Sequence, residues 1–348
     1  MDSKHILLLI DYRDKFYSTT KSKGAGFDLQ KLKESFESYE YKLDIRNFSE
    51  IDFRKEDFKG VSVLYQSSED PNLYYKDYIE DVLLGLCMQG ARLIPDFNFF
   101  RAHHNKVFME FIRDIRGLGL FDSIESKSYG TLEDFIKSSP NIKDTNKQYI
   151  LKDPGTSGSR GVYKVMMNKR GLRLLRNVSH SPSLKNLEYA IKSLLERKKY
   201  IKISNNRKKF TIQSYIDNIK GDYRVIIYGN KYYVLYRENR DNDFRASGSK
   251  KFHSSPKVSP ALLDFSEKVF NVLDVPYLAL DIGIDESDES FHLFEFQAIS
   301  FGQGCVEWSA GHYYKDQNTS NWCYKEEQPN IEKNLVASVI RYLDNKGY

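Results

Sequence analysis

Cysteine is scarce. Three in 348 residues, Cys87, Cys305 and Cys323, make no disulfide framework and no metal-binding spacing. A reducing compartment, the cytoplasm, is the expectation. A long apolar run is also missing: the stretch from Ile6 to Ile10 is too short for a signal segment or a membrane span and reads as a buried strand. No charge of one sign dominates, since 53 basic residues face 48 acidic ones for a net +5. The clusters Arg197 to Lys199 and Arg207 to Lys209 are short, and read as a solvated helix end and a turn. Nucleic-acid binding would show a concentrated basic stripe, so neither nucleic acid nor membrane is expected as a partner. Internal repeats and low-complexity segments are absent as well.

What is present alternates. Residues 5–10 suit a central parallel strand, 28–39 a helix with Leu29, Leu32 and Phe36 on one face, and 42–47 and 61–65 two further strands. A helix over 75–89 and a short strand at 92–95 complete an open α/β unit of about the first hundred residues. Residues 105–115 read as a helix with Lys106 in its first turn. Residues 183–199 read as an amphipathic helix with Leu184, Leu187, Ile191, Leu194 and Leu195 on one face, capped by Ser183. From Phe210 onward the pattern is strands: 210–215, 222–228, 231–237, 277–284 and 291–296. Gly229-Asn230 is a tight turn signal. Helices are expected from Pro260 to Leu273 and from Ile331 to Leu343. The aromatic-rich stretch 306–328 reads as a cover over the neighbouring sheet or as a pocket lining. The chain therefore divides into 1–100, 101–210 and 211–348. The fold class is α/β, an open α/β subdomain followed by two subdomains with antiparallel sheets.

Three constellations carry chemistry. The first runs from Tyr149 to Val165, two β-prone segments around a loop made almost wholly of glycine, serine, threonine and arginine. Glycines let backbone N–H groups approach an anion closely, and Lys152 adds a fixed positive charge. No P-loop or dinucleotide fingerprint fits, because a strand and not a helix follows. The implied device is a flap over a polyphosphate, with a plain exposed hairpin loop as the alternative. The second is Asp281 on one strand and Glu295 on the next, with Gln297 two residues on and therefore on the same face as Glu295. Such hard oxygen donors suit Mg²⁺ shared with phosphate; a charged outer face of a hairpin is the alternative. The third is a set of arginines: Arg224 sharing a face with Asp222, then Arg237 and Arg245. Arginine suits bidentate contact with carboxylate or phosphate, and a surface ion pair is the alternative for each. His103 and His104 receive no role.

Taken in order, these residues resemble the ATP-grasp superfamily over about residues 92 to 305, and most of all its carboxylate–amine ligases, of the ribosomal-protein glutamate ligase and D-alanine–D-alanine ligase kind. The resemblance implies that Lys106 and Lys152 hold the α- and β-phosphates of ATP. Ser157, Gly158, Ser159, Arg160 and Gly161 would form the flap. Gln213, Ser214, Tyr215 and Ile216 would form the hinge that meets adenine, through backbone groups of Ser214 and Ile216. Asp222 would take the ribose hydroxyls. Asp281, Glu295 and Gln297 would bind two Mg²⁺ ions. Three positions depart from the family pattern. Gln297 stands for the usual Asn, Gln213 for the usual Glu, and Ala298 to Gly304 lacks the common Ser-Pro-Gly.

A carboxylate does not react with an amine at neutral pH, so the resemblance implies activation as an acyl phosphate. Arg224 and Arg245 are then the candidates for orienting the substrate carboxylate and the developing oxyanion. The substrates would be a small-molecule or peptide-like carboxylate and an amine. Ligases of this kind often associate, so a homo-oligomer is allowed for. Two alternatives keep the fold: a kinase acting on a hydroxyl, and an ATP-binding module without turnover.

Overall fold

Ile6, Leu7, Leu8 and Leu9 are all fully buried, as a strand covered on both faces requires. In the computed structural model, which describes residues 4–17, 26–68, 70–117, 124–138, 147–153, 161–196, 199–249, 251–253 and 258–348, they lie in the strand Lys4–Ile10. That strand sits inside a four-stranded parallel sheet in the order Tyr41–Asn47, Lys4–Ile10, Ser62–Leu64, Arg92–Ile94. The helix Leu29–Glu37 begins at Asp28, whose side chain accepts from the N–H groups of Gln30 and Lys31. Leu32 and Phe36 turn inward, as their spacing predicts.

The chain forms two compact units. One is Met1–His103, Ile112–Phe121 and Asn218–Tyr348; the other is His104–Phe111 and Asp122–Asp217. In the first unit the parallel sheet shares one core with an antiparallel sheet and with the helix Ile331–Lys346. Ile6, Leu8 and Phe36 join Ile226, Tyr228, Tyr277, Leu335, Val336 and Val339 in that core.

The antiparallel sheet has seven strands among the described residues. Its order is Phe291–Gln297, Tyr277–Ile284, Gly221–Tyr228, Lys231–Glu238, Gly311–Lys315, Trp322–Glu326, and Phe252–His253 pairs beside Lys231–Glu238. The turn at Gly229 (φ +60°) sets the register Lys231 to Tyr228, and so brings Arg237 opposite Asp222. The stretch 306–328, read as a cover or pocket lining, instead supplies two paired strands to this sheet, with Tyr313 opposite Tyr324. In Gly311–Lys315 the adjacent residues His312 and Tyr313, which point to opposite faces of the sheet, are both buried, while Tyr314 and Lys315 are half-buried.

One face of this sheet divides along its length. Toward one end Ile226, Tyr228, Tyr233, Tyr277 and Ala279 enter the shared core. Two residues further along the same strands, on the same face, stand Arg224 and Asp281. The apolar half thus anchors the strands that carry the polar half.

The second unit holds a four-stranded antiparallel sheet in the order Ser126–Tyr129, Phe210–Ser214, Gln148–Lys152, Val162–Met166. Tyr129, Leu151, Val165, Phe210 and Ile212 meet Leu132 and Phe135 from the helix Leu132–Ser138 and Leu175 from the helix Lys169–Val178. The helix Lys185–Glu196 forms as its spacing predicts, but among the described residues nothing covers its apolar side. Leu187 is 65% exposed, Leu194 82% and Leu195 78%, and no residue of the helix is buried. The helix is tied down by polar bonds, with the Asn186 side chain donating to the Ile203 carbonyl and accepting from the Ile203 N–H. The sheet's core is already filled by the two other helices. Among the described residues no helix is long and apolar enough to cross a membrane.

Candidate active site

The helix Lys106–Arg116, whose residues to Phe111 belong to the second unit, places Lys106 and Glu110 one turn apart, on one side. Glu110 is 2% exposed. It accepts from the Gln213 amide at 2.7 Å and the Ser126 hydroxyl at 2.9 Å, and its carboxylate lies 3.6 Å from the Lys152 ammonium. Lys152 ends the strand Gln148–Lys152 and is buried with it. Lys106 donates to the Asp153 carbonyl at 3.2 Å. The strand–loop–strand reading holds: Lys152 pairs with Val162, and the Asp153 N–H donates to the carbonyl of Gly161, whose φ is +73°. Ser157, Gly158, Ser159 and Arg160 lie outside the described residues.

Two lysines and a carboxylate are thus gathered in one buried place. Ions removed from water persist only when paired and hydrogen-bonded, and Glu110 does that for Lys152. Removing it takes a partner from Lys152, Gln213 and Ser126. Glu110→Ala is expected to cost about 3 kcal/mol of stability, read as a shift in the urea midpoint. Glu110→Gln, which keeps the acceptor for Gln213 and Ser126 but not the ion pair, should recover about half. A loss under about 1 kcal/mol in the alanine variant would show that this carboxylate does not hold the cluster.

The hinge segment, Gln213 to Ile216, begins in the last two residues of the strand Phe210–Ser214. Gln213 is buried on Glu110, and the Ser214 N–H is committed to the Glu125 carbonyl at 2.8 Å. The Tyr215 ring lies 3.7 Å below the Lys164 ammonium, a cation–π contact.

In the first unit, register assembles the other set. Asp281 is opposite Arg224 on one side and Glu295 on the other. The Arg224 guanidinium donates to Asp281 at 2.8 Å, and Arg237 reaches the same carboxylate oxygen at 2.9 Å. Arg237 also grips both oxygens of Asp222, at 2.6 and 2.8 Å. Asp222, expected to meet a ribose, is therefore bound through both oxygens by an arginine. Burial pushes the Asp222 carboxyl up to about 6 against the pull of Arg237. Burial would raise Asp281 too, but Arg224 and Arg237 together outweigh it and hold that carboxyl below its usual range. Asp281 thus keeps its charge to lower pH than Asp222 does.

The Gln297 amide donates to Glu295 at 2.7 Å. Arg245 pairs with Asp243 on the loop between the strands Lys231–Glu238 and Phe252–His253, with contacts of 2.6 and 3.0 Å. The structure thus brings Asp222, Arg224 and Asp281 into one network, sets Glu295 and Gln297 beside it, and holds Arg245 on the neighbouring loop. Among the described residues no group of three or more His, Cys, Asp or Glu side chains could hold a metal. Two carboxylates and an amide carbonyl fit Mg²⁺ whose remaining ligands are phosphate and water.

Two residues escaped the sequence reading. Arg237 was noted only as one arginine among several, although counting pairs back from Gly229-Asn230 sets it opposite Asp222. Glu110 lies four residues after Lys106 on a helix, a spacing that places the two side by side.

No protein-family model matches the chain, and no curated protein does. Solved structures do match. The macrocyclase MdnC bound with precursor peptide MdnA, from Microcystis aeruginosa MRC, is 12% identical with a TM-score of 0.50, over 97% of this chain and 99% of that one. A RiPP-associated ATP-grasp ligase from Chryseobacterium gregarium, in complex with ADP and a leader and core peptide, is 12% identical with a TM-score of 0.51, over 97% of each chain. At this identity the likeness shows the fold, a mixed arrangement of parallel and antiparallel sheets with helices.

Proposed function

We propose that this chain, with its ATP-grasp fold, is an ATP-dependent ligase that activates a carboxylate as an acyl phosphate and joins it to an amine. The observation that carries the reading is the single sheet face on which Arg224 and Arg237 converge on Asp281, with Glu295 opposite and Gln297 two residues on. A triphosphate needs cations around it and oxygen ligands for its metal. Lys106 and Lys152 are assigned to the α- and β-phosphates, and the segment Ser157 to Gly161 to the flap. The hinge from Gln213 to Ile216 is assigned to adenine. Asp281, Glu295 and Gln297 are assigned to two Mg²⁺ ions. Bound Mg²⁺ would offset phosphate charge as it develops.

In the first step an oxygen of the substrate carboxylate attacks the γ-phosphorus, and the bond to the β–γ bridging oxygen breaks, with its electron pair leaving on ADP. In the second, the amine nitrogen attacks the acyl carbon. The carbon–oxygen bond to phosphate then breaks, phosphate leaves, and the nitrogen gives up one proton. Arg224, held in place by Asp281, is assigned to the substrate carboxylate and to the oxyanion of the second step. Arg245, steadied by Asp243, is assigned to the same carboxylate from the loop.

Asp222 is better read as the anchor of Arg237 than as a ribose ligand, since both its oxygens are engaged. MdnC and the Chryseobacterium ligase were solved with peptides, which favours a peptide as the carboxylate substrate here. The three free cysteines favour a reducing compartment such as the cytoplasm.

The test is a panel of acidic peptides with and without added amines. Mg·ATP-dependent release of ADP is expected together with a product lighter by one water than its reactants. A stable phosphoester in place of the amide would make the protein a kinase. ATP binding with no ADP from any acceptor would make it a binding module.

A further inference from the structure

The polar half of the sheet face does not end at Arg237. The next strand, Phe252–His253, sets Phe252 opposite Arg237, so its side chain belongs to the same face as Arg237, Asp222 and Arg224. Phe252 stacks on Trp308, with ring centroids 4.8 Å apart and planes within 12°. Trp308 follows the short helix Gly304–Glu307, its ring packed on Gly304, and Cys305 of that helix touches the Arg224 carbonyl with its thiol. The two rings are thus fixed from both sides of the arginine network, by register and by the helix. Yet they remain in water: Phe252 is 44% exposed and Trp308 54%. A preorganised, half-exposed stack continuous with a reactive face gains free energy when a third apolar group covers it.

We infer that the Phe252–Trp308 pair recognises the carboxylate substrate, by taking an aromatic side chain that lies four or five residues from the reacting carboxyl. The inference rests on the ligase reading and adds a specificity to it. The spacing comes from the sheet. Phe252 is two strands from Arg224 and three from Asp281, and two residues further along, which is about 12–16 Å at the usual strand separation and rise. An extended chain covers that distance in about four or five residues. A free amino acid is too short to reach both places, so the substrate is a peptide with a ring at a set distance from its reactive acid.

The experiment uses synthetic peptides with one glutamate and one tryptophan, otherwise glycine and serine, the ring placed one to six residues away on either side. A ring-free control completes the set. ADP release is measured on the full chain. Wild type is expected to favour peptides with the ring at four or five residues by about tenfold in kcat/KM. In Phe252→Ala and Trp308→Ala the ratio of ring-bearing to ring-free turnover should fall to about one, and in Phe252→Tyr it should be kept. Equal turnover of all peptides by wild type, or an intact preference in the alanine variants, overturns the inference while leaving the ligase reading in place.

Should no peptide be turned over, the ligase reading fails for peptides and binding decides the rest. The chain has two tryptophans, so Trp322→Phe leaves Trp308 as the reporter. With unlabelled phenylalanine peptides carrying glutamine for the glutamate, a fluorescence change that Phe252→Ala abolishes supports the docking site. An unchanged emission sinks it.

Discussion

Lys152→Ala is expected to weaken ATP binding by about 10- to 150-fold, the loss of one charge-assisted contact worth about 1.5–3 kcal/mol. From the sequence the fold should survive this change untouched, since the side chain was read as facing a ligand. The structure says otherwise. Lys152 is buried against Glu110, so its removal leaves a carboxylate in the interior with one partner fewer. A stability loss of about 3 kcal/mol is therefore expected as well. The two effects separate in the double variant Lys152→Met/Glu110→Gln. There the buried charge is gone, most of the stability should return, and ATP binding should remain weak. Thermal shift with and without Mg·ATP reads both. An undiminished ATP-induced shift in the double variant would remove Lys152 from the phosphate site.

Glu295→Gln should act on turnover. The substitution keeps shape and keeps an acceptor for the Gln297 amide, so stability should stay within about 1 kcal/mol. What is lost is one of two carboxylates assigned to the metal. The expected fall in kcat is about a thousandfold, equivalent to about 4 kcal/mol of transition-state stabilisation, with the Mg²⁺ requirement shifted to higher concentration. ATP affinity measured without Mg²⁺ should not move. Wild-type ADP release by the variant at saturating Mg²⁺ would falsify the metal assignment. Asp281→Asn is the less clean test, because Arg224 and Arg237 both depend on that carboxylate.

Much of the site was readable because β-structure has a period of two. Once Gly229-Asn230 is taken as a turn, strand pairing sets Asp222, Arg224 and Arg237 on one face, and alternation adds Gln297 to Glu295. The hairpin around the glycine loop was readable for the same reason. What was not readable depends on what covers a surface. Leu187, Leu194 and Leu195 have the spacing of a packed face, and nothing in the described residues buries them. A helical pattern says which side is apolar, not whether this chain fills the space beside it. The Lys152–Glu110 pair links a strand to a helix 42 positions earlier, a contact no local rule supplies. The strands Gly311–Lys315 and Trp322–Glu326 were hidden by their mix of tyrosine, histidine and lysine, which carries no clean alternation.

The core shared by the parallel sheet and the helix Ile331–Lys346 has a consequence for how the protein is made. Between Ile94 and Ile331 lie 236 residues, including the whole of the inserted second unit's sheet. At about 5–20 residues per second a ribosome needs about 10–50 s to cross that interval. Throughout it Ile6, Leu8 and Phe36 await Leu335 and Val336. The nascent chain must therefore carry these apolar side chains without their C-terminal partners for that interval, a window in which exposed apolar surface favours aggregation.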